Sequence, residues 1–324
     1  MGEEKKFTKI YYATDIHGSN RAFKKFVKAA KFYKADVLVL GGDITGKMIV
    51  PMVKQRDGSI KTSLFGQEKI LKDETEAKIV EGDIRDSGYY PFYSSQEEIN
   101  EIEADKSKLK DLFTKLMHDS VVSWVDYTQE QLKGTNVICY ITGGNDDHQS
   151  IVDAIKETDN VKNPDNRVVQ IDGLHEMVSI GWSNPTPWKS PRECSEEDLS
   201  NRINALVSQV DNMENCVFNF HAPPLNCVLD VAPLLDTSVY PPKAVLKLGQ
   251  QVLTNVGSSS VRVAIEKYQP PLVLCGHIHE SNGVCRIGKS LVINPGSEYG
   301  EGILKGAIVN LADKKVLSYQ LVSG

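Results

Sequence analysis

Side chains that could bind metal ions recur in five short clusters along the chain, and each cluster follows an apolar run. Their candidate ligands are Asp15, His17, Asp43, Asn145, His221, His277 and His279. Carboxylate, carboxamide and imidazole ligands suit manganese, iron or zinc and are poorly suited to copper(I). Seven ligands are more than one ion needs. Two divalent ions about 3.5–4 Å apart that share one carboxylate would use all seven, and such a pair suits in-line displacement at phosphorus.

The apolar runs before the clusters have the composition of buried β-strands. They are KIYYAT before Asp15, ADVLVL before Gly41, NVICYIT before Gly143, CVFNF before His221 and PLVLC before Gly276. Helical patterns, such as the one from Ser19 to Tyr33, separate the early strands, and this alternation predicts an α/β sheet with helices on its faces. Ligands bind at the carboxyl ends of the strands in such sheets, so we expect the five clusters to converge there.

A long segment between Asp43 and Asn145 interrupts the alternation of strands and helices. It exceeds what one helix and two loops require. We interpret residues 47–134 as an insertion or cap that folds over the sheet edge, within a single domain that comprises residues 1–324. A purely structural addition on the outside of the fold is the alternative.

Two elements are predicted inside the insertion. A hairpin is expected around Asp57 and Gly58, and one long helix or a broken pair of helices between Ser95 and Lys133. Gly82-Asp83-Ile84 is interpreted as a turn. The helical region offers apolar side chains through which two copies of the chain could pair as a homo-oligomer, namely Ile99, Ile102, Leu109 and Trp124.

The composition of the whole chain is that of a soluble globular protein. Its 324 residues include 40% hydrophobic and 25% charged residues, and the formal net charge is −6. Without a basic excess, broad nucleic-acid binding is not expected. No apolar run approaches the roughly 20 residues that span a bilayer, and the N-terminus lacks the apolar stretch of a signal peptide. We therefore expect no membrane partner and predict a cytoplasmic location, and the absence of CxxC spacing favours free cysteines.

In their order along the chain, the clusters DIH, GGD, GGND, H and GHIH resemble the five metal-binding blocks of the calcineurin-like metallophosphoesterase superfamily. The stretch GSSSVRVAIEKYQPPLVLCGHIHE and the later NPGSEYGEGIL are similar to its prokaryotic branch of small phosphoesterases. The resemblance implies a four-layer α/β/β/α sandwich of mixed sheets, here with a hairpin-plus-helix insertion. It also implies a hydrolase that cleaves phosphate esters through a dinuclear metal centre and a bridging hydroxide.

The resemblance further assigns each ligand to a metal ion. One ion would be held by Asp15, His17, Asp43 and His279. The other would be held by Asp43, Asn145, His221 and His277. Asp43 would bridge the two ions, and Asn145 would also help to neutralise charge on a phosphoryl oxygen. Two divalent ions are thus the expected cofactors, with manganese preferred and iron, zinc or nickel as alternatives.

One position departs from the family pattern. Many relatives carry a histidine after the asparagine, which is assigned to protonating the leaving group, but this chain has Asp146 there. An aspartate with an ordinary pKa near 3.9 is ionised at pH 7 and cannot donate a proton unless its pKa is raised. A catalytic role for Asn145 and Asp146 is expected, with His148 or His175 as alternative proton donors. His118 is assigned no role.

Relatives with another residue in place of that histidine are often phosphodiesterases, so a small, nucleotide-like phosphodiester is the favoured substrate. Two alternatives remain: a phosphomonoesterase acting on nucleotides or small metabolites, and a non-catalytic metal-binding scaffold for a protein partner. All four expected histidine ligands are present, which favours an enzyme. The loop from Trp182 to Trp188 either stacks on a nucleobase or is a rigid structural loop.

Overall fold

Two mixed β-sheets lie at the centre of the computed structural model, which describes residues 7–324. The first sheet has the strand order β22 (Lys315–Ser323), β21 (Lys305–Ala312), β1 (Thr8–Ala13), β2 (Val37–Leu40), β7 (Ile138–Ile141) and β8 (Val161–Lys162). Strands β1, β2, β7 and β8 run parallel, whereas β21 is antiparallel to both of its neighbours. Residues 1–6, on which the signal-peptide expectation partly depends, lie outside the described part.

The second sheet is assembled from the later half of the chain. Its strand order is β10 (Glu176–Ile180), β11 (Cys216–Phe220), β18 (Leu272–Leu274), β20 (Ser290–Asn294) and β19 (Gly283–Ile287). The first four strands run parallel and β19 is antiparallel to β20. Every residue of β10, β11, β18 and β20 is buried, as expected for parallel strands that are covered on both faces.

The two sheets pack face to face through one apolar layer. Tyr12 and Val39 of the first sheet and Met177 and Leu274 of the second belong to this layer and are fully buried. Neighbouring residues on a strand point to opposite faces, so Tyr11 faces the helices outside while Tyr12 faces the other sheet.

Helices cover the outer face of each sheet. The first sheet is covered by α1 (Asn20–Tyr33), α4 (Lys106–Leu132) and α5 (Gln149–Val152). The second is covered by α6 (Glu196–Val207) and α7 (Ser259–Tyr268). The layers are therefore helix, sheet, sheet and helix, which confirms the α/β/β/α sandwich.

The segment after Asp43 builds a third sheet. Its strand order is β5 (Gln67–Leu71), β4 (Ile60–Leu64), β3 (Ile49–Lys54) and β6 (Tyr90–Ser94). Strands β3 and β4 form the hairpin predicted around Asp57 and Gly58. The sheet and α2 (Glu74–Asp86) share a small apolar core. The turn predicted at 82–84 is wrong because these residues lie inside α2, where Ile84 is buried on the inner face.

The predicted helical region of the insertion is a broken pair. Helix α3 (Gln96–Ala104) begins after Ser95, whose hydroxyl accepts a hydrogen bond from the backbone N–H of Glu98. Asp105 ends α3 and caps α4, since its carboxylate accepts from the N–H of Ser107. One aspartate thus ends the first helix and begins the second.

The remaining strands are short. They are β9 (Arg167–Gln170) and the pairs β12 (Val231–Pro233) with β17 (Leu253–Asn255), β13 (Leu235–Asp236) with β14 (Lys243–Ala244), and β15 (Leu246–Lys247) with β16 (Gln250–Gln251). Single 3₁₀ turns lie at Met213–Asn215, Val228–Asp230 and Tyr299–Glu301. The pairs between 231 and 255 form an arm in which the sequence predicts no strands.

All six cysteines are free, as predicted. Among the helices of residues 7–324, none combines the length and the apolar character needed to cross a membrane.

Candidate metal centre

Five strand ends bring the seven candidate ligands together where the two central sheets meet. In the first sheet, β1 precedes Asp15 and His17, β2 precedes Asp43 and β7 precedes Asn145. In the second sheet, β11 leads directly into His221, and β18 precedes His277 and His279. Backbone hydrogen bonds join these loops: for example, the N–H of His17 donates to the carbonyl of Asp43 at 3.0 Å.

The backbone is strained at four of the seven positions. Asp15, His17, Asp43 and His277 have φ values of 55°, 39°, 49° and 68°. Residues with a Cβ rarely adopt this left-handed conformation, and strain of this kind concentrates at functional sites. The neighbouring glycines allow close approach, because a Cβ on Gly144 would lie 2.2 Å from Oδ1 of Asp43.

Asp15, His17 and His279 form a first group of ligands. Their ligand atoms all lie within 4.8 Å of one another. Nε2 of His17 is 3.1 Å from Nε2 of His279, which in turn is 3.4 Å from Oδ1 of Asp15. Two imidazole nitrogens that face each other this closely can both offer a lone pair to one cation.

Asp43, His221 and His277 form a second group, also within 4.8 Å. Nε2 of His221 lies 3.4 Å from Oδ1 of Asp43 and 3.0 Å from Oδ1 of Asn145. The other oxygen of Asp43, Oδ2, lies 3.7 Å from Nε2 of His17 in the first group. The Asp43 carboxylate therefore stands between the two groups and turns one oxygen towards each.

The electrostatics of the buried ligands fit a cation site. Burial raises the pKa of a carboxyl group, but neighbouring imidazoles outweigh it and hold the pKa values of Asp15 and Asp43 below their ordinary range. Burial lowers the pKa values of His17 and His277 to about 4, which leaves both rings neutral near pH 7. Burial also disfavours the charged form of His221, but the Asp43 and Asp15 carboxylates raise its pKa to about 9. Ionised carboxylates and neutral imidazoles are the forms that bind metal ions, and a cation would replace the proton on His221.

Asp147 supports the site, and sequence reasoning missed it. Its fully buried carboxylate accepts hydrogen bonds from the N–H groups of Ile44 and Gly144 at 3.0 and 2.7 Å, and from both the N–H and the hydroxyl of Thr45. These bonds join the loop of Asp43 to the loop of Asn145. The only signal in the sequence is a second carboxylate after the asparagine.

Asp146 lies beside the ligands, and one of its carboxylate oxygens is within 4.8 Å of the ligand atoms of His17 and Asp43. Oδ1 accepts from the hydroxyl of Ser190 at 2.6 Å and from Nδ2 of Asn145 at 3.2 Å, and Oδ2 pairs with the ammonium of Lys47. The backbone N–H of Asp146 donates to Oδ1 of Asp43 at 2.9 Å. Sequence reasoning predicted neither Lys47 nor Ser190 at the site.

The alternative proton donors lie in different places. His148 is exposed and lines the cleft above the ligands. His175 is buried at the opposite end of the sheets, where its ring pairs with Asp172 and the carbonyl of Ala312. The expectation that His175 could serve as a proton donor is therefore wrong.

A cleft of about 1040 Å³ opens over the ligands. Asp43, Asn145, His277 and His279 line its floor, and its walls include Phe113 and Met117 of α4, Trp188 of the loop and Leu234 of the arm. Of the two loop tryptophans, Trp182 packs beneath the guanidinium groups of Arg202 and Arg192, at 4.2 and 5.6 Å from its ring centre. Trp188 is 57% exposed and is the one available to a ligand.

Comparisons with known proteins give the following results. No protein-family model matches the chain. The uncharacterized protein MJ1162 of Methanocaldococcus jannaschii is 34% identical over 155 residues, which are 47% of this chain and 61% of that protein. One crystal structure aligns with a TM-score of 0.57 at 16% identity over 98% of both chains. The protein TT1561 of Thermus thermophilus aligns with a TM-score of 0.52 at 14% identity over 98% of both chains.

The two structural alignments extend over nearly the whole of each chain, so they concern the complete sandwich and not one layer of it. At these identities they show a shared fold and nothing about activity. Together with the observed layers, they show that the chain shares its α/β/β/α sandwich fold with these two structures.

Proposed function

We propose that the chain is a member of the calcineurin-like metallophosphoesterase superfamily and a metal-dependent hydrolase of phosphate esters. The observation that carries this proposal is the position of Asp43. One of its carboxylate oxygens lies 3.4 Å from His221 and the other 3.7 Å from His17. A carboxylate placed between two groups of imidazole and oxygen ligands is suited to bridging a pair of cations.

Each group has the ligands for one ion. We assign Asp15, His17, His279 and one oxygen of Asp43 to the first ion. We assign His221, His277, Asn145 and the other oxygen of Asp43 to the second. Oxygen and imidazole donors of this kind suit two divalent ions, with manganese preferred. When bound, such a pair would polarise a phosphoryl oxygen and lower the pKa of a water molecule so that it becomes a nucleophile near neutral pH.

The side chains around the ligands orient the reaction. Asn145 directs Oδ1 towards His221 because its Nδ2 donates to Asp146, so its carboxamide is held at the floor of the cleft. There the carboxamide can help to neutralise charge on a phosphoryl oxygen. Asp146 uses its own oxygens to bind Lys47, Ser190 and Asn145. It is therefore better suited to positioning these groups than to donating a proton.

A phosphodiester is the favoured substrate class. The resemblance to the superfamily supports this preference, because relatives without a histidine after the asparagine are often phosphodiesterases and this chain has Asp146 there. The cleft of about 1040 Å³ leaves room for organic groups on both sides of the phosphorus, and the exposed ring of Trp188 could stack on a nucleobase. Residues 47–134 act as a cap, since Phe113 and Met117 from this segment form part of the cleft wall.

The test compares bis-p-nitrophenyl phosphate with p-nitrophenyl phosphate as substrates of protein that has been stripped of metal and reloaded with manganese. We expect the diester to be hydrolysed faster than the monoester. Asp43→Asn should lower this activity by about 100-fold or more, whereas the matched exposed control Asp57→Asn should not change it.

The other outcomes separate the alternatives. A monoester rate above the diester rate would favour the phosphomonoesterase. Two bound ions per chain without hydrolysis of either substrate would favour a metal-binding scaffold. Full activity of Asp43→Asn would contradict the proposal as a whole.

A further inference from the structure

A cationic side chain beside the candidate ligands, that of Lys47, belongs to the insertion. Lys47 lines the cleft together with Asp43, Asn145 and His277, and 52% of its side chain is exposed. Its ammonium carries three N–H donors, and Asp146 is its paired acceptor. An ammonium that is paired with one carboxylate retains donors for a ligand. An ammonium is a compact point charge that is well suited to binding phosphate oxygens.

The backbone just before Lys47 is held by two groups from different parts of the fold. The N–H and hydroxyl of Thr45 donate to Asp147, and the N–H of Gly46 donates to the phenol oxygen of Tyr90 at 2.8 Å. Tyr90 lies on β6 of the third sheet. The ligand loop and the insertion thus hold the same short segment, which limits the positions that the Lys47 ammonium can reach.

Asp146, the partner of Lys47, is also held in place by its neighbours. Asp146 accepts from the Ser190 hydroxyl at 2.6 Å, and the carboxylate of Glu193 accepts from the N–H of Ser190 at 2.7 Å. Glu193 also accepts from the N–H and hydroxyl of Thr186, at 2.9 and 2.5 Å. The Glu193 carboxylate therefore holds the loop from 186 to 190 in place, and this loop holds Asp146 through Ser190.

The charge of Lys47 persists at neutral pH. Burial lowers the pKa of the ammonium, but the Asp146 carboxylate outweighs this effect, and the pKa of Lys47 lies above its ordinary value of 10.5. Asp146 places a carboxylate next to Asn145, yet by pairing with Lys47 it also brings a cation to the same wall of the cleft.

Resting on the phosphoesterase function proposed above, we propose that Lys47 is a substrate-binding residue whose ammonium contacts a non-bridging oxygen of the phosphoryl group, and that Asp146 is the positioning residue that aims it. The ligand class is a phosphate ester or inorganic phosphate. The insertion then contributes a residue to the site itself as well as a wall of the cleft.

The experiment uses the full chain loaded with manganese. Two quantities are measured for Lys47→Met, Lys47→Arg and the control Lys61→Met: kcat/KM for the diester, and the affinity for inorganic phosphate by calorimetry and by competitive inhibition. Lys61 is another lysine of the insertion; its side chain is 48% exposed and paired with Glu68, and it lies outside the lining of the cleft. Loss of one charge-assisted hydrogen bond should weaken phosphate binding by about 10- to 100-fold and lower kcat/KM by a similar factor in Lys47→Met. Lys47→Arg should recover most of both, and Lys61→Met should match the wild type.

Asp146→Asn tests the positioning role. It should raise KM and weaken phosphate binding, each by a smaller factor than Lys47→Met does. In the double variant with Lys47→Met it should cause no further loss, because the amide oxygen can still accept from Asn145 and Ser190 and only the pairing with Lys47 is removed. Thermal denaturation of each variant separates these effects from loss of fold.

Phosphate affinity and kcat/KM of Lys47→Met within about twofold of the wild type would overturn the inference, as would fully additive losses in the double variant. Failure of the underlying function is distinguishable. If Asp43→Asn abolishes hydrolysis while Lys47→Met does not reduce it, only the role of Lys47 is wrong. If Asp43→Asn remains active, the metallophosphoesterase function itself is wrong.

Discussion

At the scale of single residues, the convergence of the candidate ligands could be predicted and the residues that support them could not. Each candidate ligand follows a recognisable apolar run, and its side-chain type indicates its chemistry. Asp147 and Lys47 lack such a signal because their roles depend on groups far away in the chain. Asp147 bonds to Ile44 and Thr45 across separations of 103 and 102 residues.

The importance of Asp147 can be measured by Asp147→Ala. Removing its carboxylate leaves the buried donors of Ile44, Thr45 and Gly144 without their acceptor, which should lower the free energy of unfolding by about 2–4 kcal/mol. Because these bonds position Asp43 and Asn145, manganese affinity should also fall by about 10- to 100-fold. Urea denaturation and metal titration check the two effects. Unchanged manganese affinity would show that the ligand loops hold their positions without Asp147.

At the scale of elements, the periodicity of apolar residues in the helical region of the insertion predicted the type of element but not its packing. The apolar spacing correctly indicated helices, but it did not indicate which side chains are covered. Trp124 was expected on a surface that pairs with another subunit. It is 4% exposed, its ring stacks on Phe23 of α1 at 4.2 Å, and its indole N–H donates to Asn20 at 2.6 Å. Trp124 is therefore part of the core and cannot take part in pairing, and oligomerisation stays a prediction.

The contribution of α4 to the core is tested by Trp124→Ala against Leu109→Ala on the same helix. Deleting the buried indole should lower the free energy of unfolding by about 3–5 kcal/mol. Leu109 is 45% exposed, and its removal should change stability by no more than about 0.5 kcal/mol. Urea denaturation compares the two. Equal, small losses would mean that α4 is not anchored to α1 as described.

The short strands of the arm could not be predicted from the sequence, and the reason is physical. Strands β12 to β17 are two or three residues long, and most of their residues are exposed or half-buried. Such strands have no buried face, so they leave no alternation of apolar and polar residues in the sequence.

At the scale of the whole molecule, the order of the layers came from the resemblance, whereas periodicity indicated only an α/β protein. Nothing in the pattern of one strand tells which of two sheets it joins. The sheets are also linked at the edge remote from the ligands. There His175, before β10, donates from Nδ1 to the Asp172 carboxylate at 2.7 Å and from Nε2 to the carbonyl of Ala312 at 3.1 Å. The hydroxyl of Thr8 on β1 also donates to Asp172.

This link makes stability depend on pH. Burial disfavours the charged form of His175, but Asp172 outweighs it, so the pKa of His175 lies above 6.5. Its contribution is thus fully present below about pH 6.5 and is lost as the pH rises through the raised pKa. Burial raises the pKa of Asp172, but its hydrogen bonds, first that with His175, lower it below 3.8. Its contribution is present above about pH 3.8 and is lost on acidification.

We therefore expect Asp172→Asn to be more damaging near pH 5.5 than near pH 9, by about 1–2 kcal/mol in the free energy of unfolding. Thr8→Val removes a bond to the same carboxylate that involves no titrating imidazole, so its cost should be similar at both values. Urea denaturation at the two pH values makes the comparison. A cost of Asp172→Asn that is the same at both would contradict the charged pair.

The central claim is that two cations share the Asp43 carboxylate. The most direct test is the crystal structure of the manganese-loaded protein with anomalous scattering recorded at the manganese edge. We predict two anomalous peaks about 3.5–4 Å apart. One should be bound by Asp15, His17 and His279, the other by Asn145, His221 and His277, with Asp43 between them. A single peak, or peaks that Asp43 does not bridge, would contradict the account.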